Sequence, residues 1–398
     1  MERFDVAVIG AGAAGMMCAA VAAQRGRTVV LIEHATVLAE KIRISGGGRC
    51  NFTNKQVGPE NFISANPHFC KSALAGYTPQ DFLDLMRRHG IAWHEKHKGQ
   101  LFCDHSSEDI IALLRAECNQ GGVQWRMPCE VKDVSRADLT GLSLFTIQTS
   151  GGTIQAANLV IATGGLAIPQ LGATDFGLKL ARQFGLKVVE PRPALVPLTF
   201  EADTWAPFGA LAGVALQATV SAGPGRRAQQ FLEDVLFTHR GLSGPGILQI
   251  SSYWQPGEAI VLDLAPGQEL SDKLVEAKVG GKQQLGTLLS SLWPKRLAEQ
   301  WLGEQATIRM ADAPDRLLKD VAQRIQAWSL VPNGTAGYKK AEVMRGGVDT
   351  KGLDQRSMQA RNVPGLHFIG ETVDVTGWLG GYNFQWAWAS AVACGRSL

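Results

Sequence analysis

Val6-Ala7-Val8-Ile9-Gly10-Ala11-Gly12-Ala13-Ala14-Gly15 decides the fold of this 398-residue chain. A short run rich in β-branched residues turns at Gly10 directly into an alanine-rich segment, which predicts a strand, a tight turn and a helix. Glycines at this spacing permit the turn, close approach of the backbone to a pyrophosphate, and close helix–strand packing. The helix N-terminus directs its positive end at the phosphates. The stretch therefore predicts a dinucleotide-binding site.

A second strand signal and an acidic residue follow this fingerprint. Residues 28–33 are again rich in β-branched residues, and the run ends in Glu33. An acid about twenty residues after the glycines accepts hydrogen bonds from the hydroxyls of a bound ribose. Glu33, with His34 beside it, is therefore predicted to hold the nucleoside end of the dinucleotide.

The uncharged run at residues 6–23 also has the length of a membrane span or a secretory signal. The fingerprint spacing of its glycines, the lack of a basic segment before it and the strand pattern after it argue against both. With 45% hydrophobic and 19% charged residues, the chain can bury a large core in two or three domains. We expect a cytoplasmic protein without membrane contact.

The seven cysteines are scattered and include no Cys-x-x-Cys pair. This pattern indicates neither a disulfide framework nor a structural zinc site, and it offers no dithiol relay. His94-Glu95-Lys96-His97 has the wrong spacing for a zinc-binding His-Glu-x-x-His helix, and exposed polar residues explain it better. We predict no metal site.

Residues 45–54 read Ser-Gly-Gly-Gly-Arg-Cys-Asn-Phe-Thr-Asn. Three consecutive glycines let backbone N–H groups approach an anion closely, and they adopt positive φ angles without strain. Arg49, Asn51 and Thr53 add donors for a phosphate or for the edge of a flavin. The alternative is a flexible surface loop, but this composition beside a nucleotide fingerprint favours a cofactor contact.

Another cofactor contact is predicted where residues 159–165 read as a buried strand that runs into Thr163-Gly164-Gly165. Many two-dinucleotide-fold flavoproteins carry such a strand where a β-meander returns to the parallel sheet. Helices are predicted at residues 79–89 and 107–119, and β segments at 122–134, 144–149 and 153–156.

The pattern changes near Pro191, where three prolines lie close together. β-rich patterning then extends to about residue 264, and a helical, Lys-bearing stretch follows. We predict an α/β fold of the two-dinucleotide-fold type: an FAD-binding Rossmann-like domain with a parallel sheet and a β-meander, residues 1–190 and 345–398. A β-rich domain, residues 191–265, and a helical part, residues 266–344, are predicted to be inserted in it.

The last part of the chain carries groups suited to a flavin. A short strand is predicted at residues 365–371 and a closing helix at 372–394. Glu371 or Asp374 can bind ribityl hydroxyls, and Gly380 and Gly381 can present N–H groups to the N1–C2=O edge, where charge gathers on reduction. Of the aromatic residues here, Trp386 and Trp388 are predicted to be core. Asn383 is instead predicted to serve the cofactor.

Taken together, these motifs resemble those of the BaiN/YhiN-like family of FAD-dependent oxidoreductases, over the whole chain. The resemblance rests on five stretches: Gly10-Ala-Gly-Ala-Ala-Gly15, Lys41-Ile-Arg-Ile-Ser-Gly-Gly-Gly-Arg-Cys-Asn-Phe-Thr-Asn54, Leu236-Phe-Thr-His-Arg-Gly-Leu-Ser-Gly-Pro245, Gly346-Gly-Val348 and Asp374-Val-Thr-Gly-Trp-Leu-Gly-Gly-Tyr-Asn-Phe-Gln-Trp-Ala-Trp388. The match is closest to a branch similar to ribosomal RNA dihydrouridine synthases, which reduce the C5=C6 bond of a uridine in large-subunit ribosomal RNA. Two departures, at Gln359-Ala360-Arg361 and at Gly246 after Pro245, touch no expected flavin contact.

The motifs and the resemblance together predict the residues that bind FAD. They are Gly10, Ala11, Gly12, Ala14, Gly15, Glu33, His34, Lys41, Ser45, Gly46, Gly47, Gly48, Arg49, Cys50, Asn51, Val131, Thr163, Gly164, Gly165, Gly370, Glu371, Asp374, Gly380, Gly381, Tyr382, Asn383 and Phe384.

Charge gives the RNA assignment little independent support. The net charge is +3, and residues 270–345 hold 12 Lys and Arg against 8 Asp and Glu. Basic residues there could track phosphates: Lys273, Lys278, Lys282, Lys295, Arg296, Arg324, Lys339 and Lys340. A solvated helical face explains the same charges, so the expectation of ribosomal RNA or its precursor particle as partner comes from the family resemblance. The sequence indicates no protein partner.

The chain has one dinucleotide fingerprint, so NAD(P)H is expected to visit only transiently. It would reduce FAD and leave, and the flavin N5 would deliver hydride to an electron-poor C=C bond while a protein acid protonates the neighbouring carbon. Cys50 and His239 are the candidate acids. Arg240, Ser243 and Trp378 are candidate substrate contacts, because a uridine drawn out of its stack needs an aromatic or guanidinium plane.

Two other functions stay open at this point. An ene-reductase or dehydrogenase would use NAD(P)H and FAD on a small unsaturated molecule, and it would be insensitive to salt. A non-enzymatic redox sensor would bind FAD without turnover.

Overall fold

The computed structural model describes residues 2–139, 142–225 and 228–398. The chain divides into two compact units, Met1–Arg192 with Val343–Leu398, and Pro193–Glu342. The sequence predicts the corresponding boundaries after residues 190 and 344. One unit is thus made from both ends of the chain, and the other from its middle.

The first unit is built on a seven-stranded sheet in which five strands run parallel and two form an antiparallel hairpin. In spatial order the strands are Gln124–Arg126, Val29–Ile32, Glu2–Ile9, Gly152–Ile161, Leu142–Thr149 and Val131–Leu139, with Leu366–Phe368 paired to the end of Gly152–Ile161. The parallel sheet with a returning meander confirms the predicted fold class. The strand predicted to begin at Leu159 is the second half of one long strand that begins at Gly152.

The central strands are buried on both faces. Val6, Ala7 and Val8 have no exposed surface, as expected for parallel strands with cover on both sides. The sequence there is apolar without alternation for the same reason. The helices of this unit are Ala13–Gln24, Glu40–Ile44, Lys71–Gly76, Pro79–Arg88, Glu108–Gln120, Phe176–Gln183 and Tyr382–Ser397.

Two of these helices, Pro79–Arg88 and Glu108–Gln120, lie where the sequence predicts them. Pro79–Arg88 begins with a capping box, in which Thr78 and Asp81 exchange side-chain-to-backbone hydrogen bonds. The last helix, Tyr382–Ser397, is called the closing helix below. It begins ten residues later than predicted, because Gly380 and Gly381 adopt φ angles of +115° and +95°, which no helix contains.

Three small sheets complete the first unit. Asn51–Asn54, Gln100–Cys103 and Trp93–Glu95 form an antiparallel sheet of three strands, called the side sheet below. The two remaining sheets have two strands each: Phe62–Ile63 with Thr376–Gly377, and Val188–Ala194 with Val343–Val348.

The second unit is an antiparallel seven-stranded sheet with helices. In spatial order its strands are Trp328–Leu330, Ile260–Asp263, Ala215–Ala222, Gln229–Thr238, Gly241–Ser243, Leu198–Thr199 and Gly334–Thr335. Two of them lie within residues 266–344, predicted to be helical; they are too short for a period-2 pattern to show. The helices are Ala202–Trp205, Pro245–Ser251, Leu270–Glu276, Leu285–Ser290, Lys295–Leu302 and Asp315–Gln326.

Across the part of the chain that the structure describes, no helix combines the length and the apolar character that a membrane span requires. All seven cysteines are buried and carry free thiols. The predicted packing role of Trp386 and Trp388 is confirmed, since they are 1% and 0% exposed.

His367 makes the free energy of unfolding depend on pH. Its Nδ1 lies 3.0 Å from Ser357 O, its Nε2 is buried without a partner, and burial lowers its pKa from 6.5 to about 4. As pH falls, His367 is therefore protonated at a higher pH in the unfolded chain than in the folded protein. We expect His367 to remove about 3 kcal/mol of unfolding free energy between pH 6.5 and about pH 4.

Urea unfolding across this pH interval checks the expectation. The variant His367→Gln should lose this part of the pH dependence, whereas His105→Gln, at an exposed position, should keep it. An unchanged slope in His367→Gln would contradict the assignment.

Candidate functional site

The glycine fingerprint forms the predicted strand–turn–helix. A Cβ at Gly10 would lie 2.5 Å from Ala162 O, and one at Gly15 would lie 1.8 Å from Gly10 O. At Gly12 a Cβ would meet nothing within 4 Å. Gly10 and Gly15 are thus required by packing, whereas Gly12 leaves open space at the N-terminus of the helix Ala13–Gln24. This is the side from which a pyrophosphate can approach.

Glu33 lies at the end of the second strand, beside this turn. Its Oε2 accepts a hydrogen bond from Ala11 N at 2.7 Å, and its Oε1 accepts one from Ala35 N at 2.9 Å. His34 Nδ1 lies 3.0 Å from Oε1. Cys129 N donates to Glu33 O at 2.7 Å, so the segment that leads to Val131 passes the same point. Oε2 accepts from Ala11 N alone among these contacts, so it keeps a lone pair for a ribose hydroxyl.

The glycine loop, Ser45–Cys50, is an ordered turn rather than a flexible loop. Gly46, Gly47 and Gly48 have φ angles of +58°, +68° and +82°. The N–H groups of Gly48 and Cys50 both donate to Ser45 O at 3.0 Å. A Cβ at Gly47 or Gly48 would meet nothing within 4 Å. These two glycines therefore leave space on the loop for a ligand.

The residues after these glycines differ in exposure: Arg49 is at the surface, whereas Cys50 and Thr53 are buried. Cys50 is fully buried, and burial raises the pKa of its thiol to about 12. The Thr53 hydroxyl is also buried and donates to Gln385 Oε1 at 2.6 Å, so the prediction that it donates to a phosphate or to the edge of a flavin is wrong. It instead ties the strand Asn51–Asn54 to the closing helix.

Further contacts join this strand to the end of the chain. Trp388 Nε1 donates to Phe52 O at 2.8 Å, and Asn54 Nδ2 donates to Gly380 O at 3.1 Å. A Cβ at Gly381 would lie 2.3 Å from Thr53 O. The beginning and the end of the polypeptide therefore build one region, as the sequence predicts.

The Thr163-Gly164-Gly165 turn meets Glu371 in the same unit. A Cβ at Gly165 would lie 2.7 Å from Glu371 Oε1. Lys41 Nζ pairs with Glu371 Oε2 at 2.7 Å, and Met344 N donates to Oε1 at 2.8 Å. The Thr163 hydroxyl is buried and has no hydrogen-bond partner in the protein. The hydroxyl faces Gly177, where a Cβ would lie 2.4 Å from it.

The residues around the start of the closing helix are held by backbone contacts. Asp374 is buried, its Oδ2 accepts from Ala65 N at 2.9 Å, and burial raises its pKa. Asn383 accepts from Gly377 N at 2.8 Å and donates to Gly377 O at 2.9 Å. It closes the turn ahead of the helix, a role that the sequence did not reveal. The predicted flavin contacts of both residues stay predictions.

The other predicted cofactor and substrate residues lie around the start of the closing helix or in the second unit. Tyr382 is buried and packs edge-on against Trp378, with ring centroids 6.2 Å apart, and Phe384 stacks on Trp388 at 5.6 Å. In the second unit, His239 and Arg240 are exposed at a turn between two strands, and Ser243 ends the second strand. Their catalytic and substrate roles stay predictions.

Comparison with protein-family models decides the family. Residues 4–397 match the model described as HI0933-like protein Rossmann domain. The chain belongs to this family. It is 51% identical over 401 residues to the ribosomal RNA dihydrouridine synthase of Escherichia coli (strain K12), covering 100% of this chain and 98% of that protein. The protein of the same name from Haemophilus influenzae is 46% identical, covering 98% of this chain and 97% of that one.

Among solved structures, the 3-ketosteroid delta1-dehydrogenase from Sterolibacterium denitrificans is similar in fold. The TM-score is 0.52 at 12% identity, and the match covers 100% of this chain and 99% of that one. The family, the fold and the named relatives support an FAD-dependent oxidoreductase.

The residues present fit FAD. The open space at Gly12 and the two open glycines of the glycine loop lie in one unit, with Glu33 at the end of the neighbouring strand. Bound FAD would supply two-electron redox chemistry.

Proposed function

We propose that this protein is an FAD-dependent oxidoreductase that reduces the C5=C6 bond of a uridine in large-subunit ribosomal RNA, with NAD(P)H as the reductant. One observation carries the proposal: the 51% identity, over the whole chain, to a protein named ribosomal RNA dihydrouridine synthase. The site geometry supports the redox half of the proposal, because the motifs predicted to hold FAD are folded as a dinucleotide site requires.

Several residues would hold FAD in this proposal. Gly12 and the start of the helix Ala13–Gln24 would bind the pyrophosphate, and Glu33 would accept from the ribose. The Thr163 turn and Glu371 would border the middle of the cofactor. Gly380 and Gly381, just before the closing helix, would face the N1–C2=O edge, where the positive end of the helix favours negative charge.

The basic residues of the second unit give limited support to RNA binding. Lys278 pairs with Asp315 at 2.7 Å, Lys295 lies 3.6 Å from Glu299, and Lys273 donates to Gln268 at 3.1 Å. Acidic partners already offset part of the positive charge there. The RNA assignment therefore depends on similarity, and it needs a direct test.

Mapping of ribosomal RNA from a strain that lacks this protein provides that test. We expect mass spectrometry to show that one large-subunit dihydrouridine is absent in the deletion strain. A plasmid carrying the wild-type chain should restore it. A plasmid carrying Gly12→Ala should not, because this variant is expected to bind FAD weakly.

The outcomes separate the candidate functions. Unchanged dihydrouridine in the deletion strain would remove the RNA assignment. A small-molecule ene-reductase would then oxidise NAD(P)H with free α,β-unsaturated compounds at any salt concentration, whereas reduction of an RNA substrate should weaken steeply with salt. FAD binding without turnover of NAD(P)H with any acceptor would indicate a redox sensor.

A further inference from the structure

Two strands of the side sheet, Trp93–Glu95 and Gln100–Cys103, are joined by a tight turn; we call residues 93–103 the basic hairpin. In the turn, Lys96 N donates to Gln100 O at 3.1 Å, and Gln100 N donates to His97 O at 3.0 Å. Lys96, His97 and Lys98 are all exposed. The turn therefore presents to solvent three consecutive side chains that can carry positive charge.

Asn54 fixes this turn beside the predicted flavin site. Asn54 is 1% exposed, and its Nδ2 donates to Lys98 O and to Gly380 O, each at 3.1 Å. A Cβ at Gly99 would lie 2.5 Å from Asn54 Oδ1, and a Cβ at Gly380 would lie 3.0 Å from Gln100 Nε2. One buried amide group thus connects the tip of the basic hairpin to a glycine that would face the flavin ring.

Lys98 has a backbone conformation that favours glycine. Its φ angle is +48°, in the left-handed region that a residue with a Cβ adopts only at a cost. Residues other than glycine that are held in this region are concentrated at functional sites and ligand clamps. The buried hydrogen bond from Asn54 maintains the conformation. A lysine is therefore held at this position although glycine would fit the turn more easily.

Lys96 is positioned by an aromatic ring. Its Nζ lies 5.5 Å from the centroid of the Phe102 ring and, in the described part of the chain, at ion-pair distance from no carboxylate. His94 stacks on the same ring, with centroids 6.1 Å apart and an interplanar angle of 17°. A cation above a ring keeps donors that can point to solvent. The Lys96 ammonium is therefore available to an anionic ligand.

The two carboxylates of the side sheet have other partners. Glu95 pairs with Lys55, and Asp104 Oδ1 lies 2.7 Å from His94 Nδ1. Neither pair includes the lysines of the turn. The exposed end of the basic hairpin therefore has a positive local charge, in the same unit as the predicted flavin contacts.

An RNA substrate requires cations at the rim of a flavin site. A uridine reaches a flavin only if its base leaves the stack, and the phosphates on either side of it then stay at the protein surface. Lys and Arg bind such phosphates, and these contacts make the affinity depend on salt. We propose that the basic hairpin, through Lys96 and Lys98, binds the RNA phosphates that flank the reacting uridine. This inference rests on the proposed function and identifies the RNA contact of that site.

Fluorescence anisotropy with the full-length holoenzyme tests the proposal. The probe is a fluorescein-labelled transcript of the large-subunit ribosomal RNA segment whose dihydrouridine is absent in the deletion strain. In Lys96→Gln/Lys98→Gln, we expect the slope of log affinity against log salt to become shallower by about 1.4, because each contact to single-stranded RNA contributes about 0.7. The affinity should fall about tenfold or more at about 0.1 M salt and converge with wild type near about 1 M.

Two matched variants separate charge from other effects. Lys96→Arg/Lys98→Arg keeps both charges and should keep the wild-type slope and affinity. Lys273→Gln/Lys295→Gln removes the same charge from exposed positions of the second unit, and it should change the slope less than the hairpin variant does. A wild-type slope and affinity in Lys96→Gln/Lys98→Gln would overturn the proposal.

The phosphates of NADPH are the other anions that the basic hairpin could bind. We expect Lys96→Gln/Lys98→Gln to keep the wild-type flavin absorbance and the wild-type rate of FAD reduction by NADPH, since neither lysine is a predicted cofactor contact. Weaker binding of NADPH together with unchanged RNA affinity would assign the hairpin to the nicotinamide nucleotide and overturn the proposal.

A crosslinking experiment locates the RNA on the wild-type protein. The same transcript, with 4-thiouridine placed next to the reacting uridine, is irradiated with the holoenzyme, and the linked peptides are identified by mass spectrometry. We expect crosslinks within residues 93–103. Crosslinks confined to residues 193–342 would place the flanking nucleotides on the second unit and contradict the proposal.

Failure of this inference can be distinguished from failure of the proposed function. If wild-type protein forms dihydrouridine in the transcript and Lys96→Gln/Lys98→Gln binds and reduces it equally well at every salt concentration, only the role of the basic hairpin is wrong. If wild-type protein neither binds nor reduces the transcript, the RNA substrate is wrong and so is this inference.

Discussion

Replacement of Gly12 by alanine is expected to abolish tight FAD binding while leaving the protein folded. The Gly12 backbone has φ −80° and ψ −165°, a conformation open to any residue, and a Cβ there would meet no protein atom within 4 Å. The added methyl group would instead occupy the space from which the pyrophosphate approaches the helix N-terminus. We expect the dissociation constant of FAD to rise by about a hundredfold, roughly 2.7 kcal/mol.

Titration of the apoprotein with FAD, followed by flavin fluorescence, measures this effect. Gly209→Ala is the matched control, because a Cβ there also meets nothing within 4 Å and it lies in the second unit. Gly15→Ala should behave differently: its Cβ would lie 1.8 Å from Gly10 O, so it should lower the melting temperature of the apoprotein. Wild-type affinity in Gly12→Ala would contradict the location of the pyrophosphate.

Replacement of Trp388 by alanine is expected to have the largest effect on stability. The side chain is 0% exposed and stacks on Phe82, with ring centroids 4.6 Å apart. Its Nε1 also satisfies Phe52 O. Removal would leave a cavity and a buried carbonyl without a partner. We expect the unfolding free energy of the first unit to fall by about 3–5 kcal/mol.

Urea unfolding followed by far-ultraviolet circular dichroism measures this loss. Trp388→Phe keeps a ring in the stack and loses the hydrogen bond, so it should cost about 1–3 kcal/mol. Trp125→Ala, on an edge strand and half-buried, is a control that should cost less than Trp388→Ala. Equal losses for the two alanine variants would show that the closing helix does not anchor the strand Asn51–Asn54.

The parts of the fold that the sequence predicted are those governed by local patterns. Gly10 to Gly15 encode a turn whose geometry depends only on neighbouring residues, and the buried strands near it are apolar on both faces. The strand that ends at Ile161, just before Ala-Thr-Gly, and the capped helix at Pro79 are similar cases. In each, the residues that determine the element lie within a few positions of one another.

The parts that the sequence did not predict depend on distant contacts. Thr53 is predicted to donate to a phosphate or to the edge of a flavin, but its hydroxyl donates to Gln385, 332 residues later. Asn383 closes a turn, and His94 pairs with Asp104 across the side sheet. Nothing in the local sequence shows that a strand pairing brings it to a carboxylate and an aromatic ring.

The closing helix has a consequence for synthesis of the protein. Because Trp388 and Gln385 complete the environment of Phe52 and Thr53, a nascent chain has no cover for that strand until residue 388 has been translated. The middle unit emerges from the ribosome earlier. During that interval Phe52 and Phe82 would expose apolar surface of the kind that chaperones recognise. The strand and the helix that covers it are 336 residues apart in the sequence, so this region closes only after the middle unit has been translated.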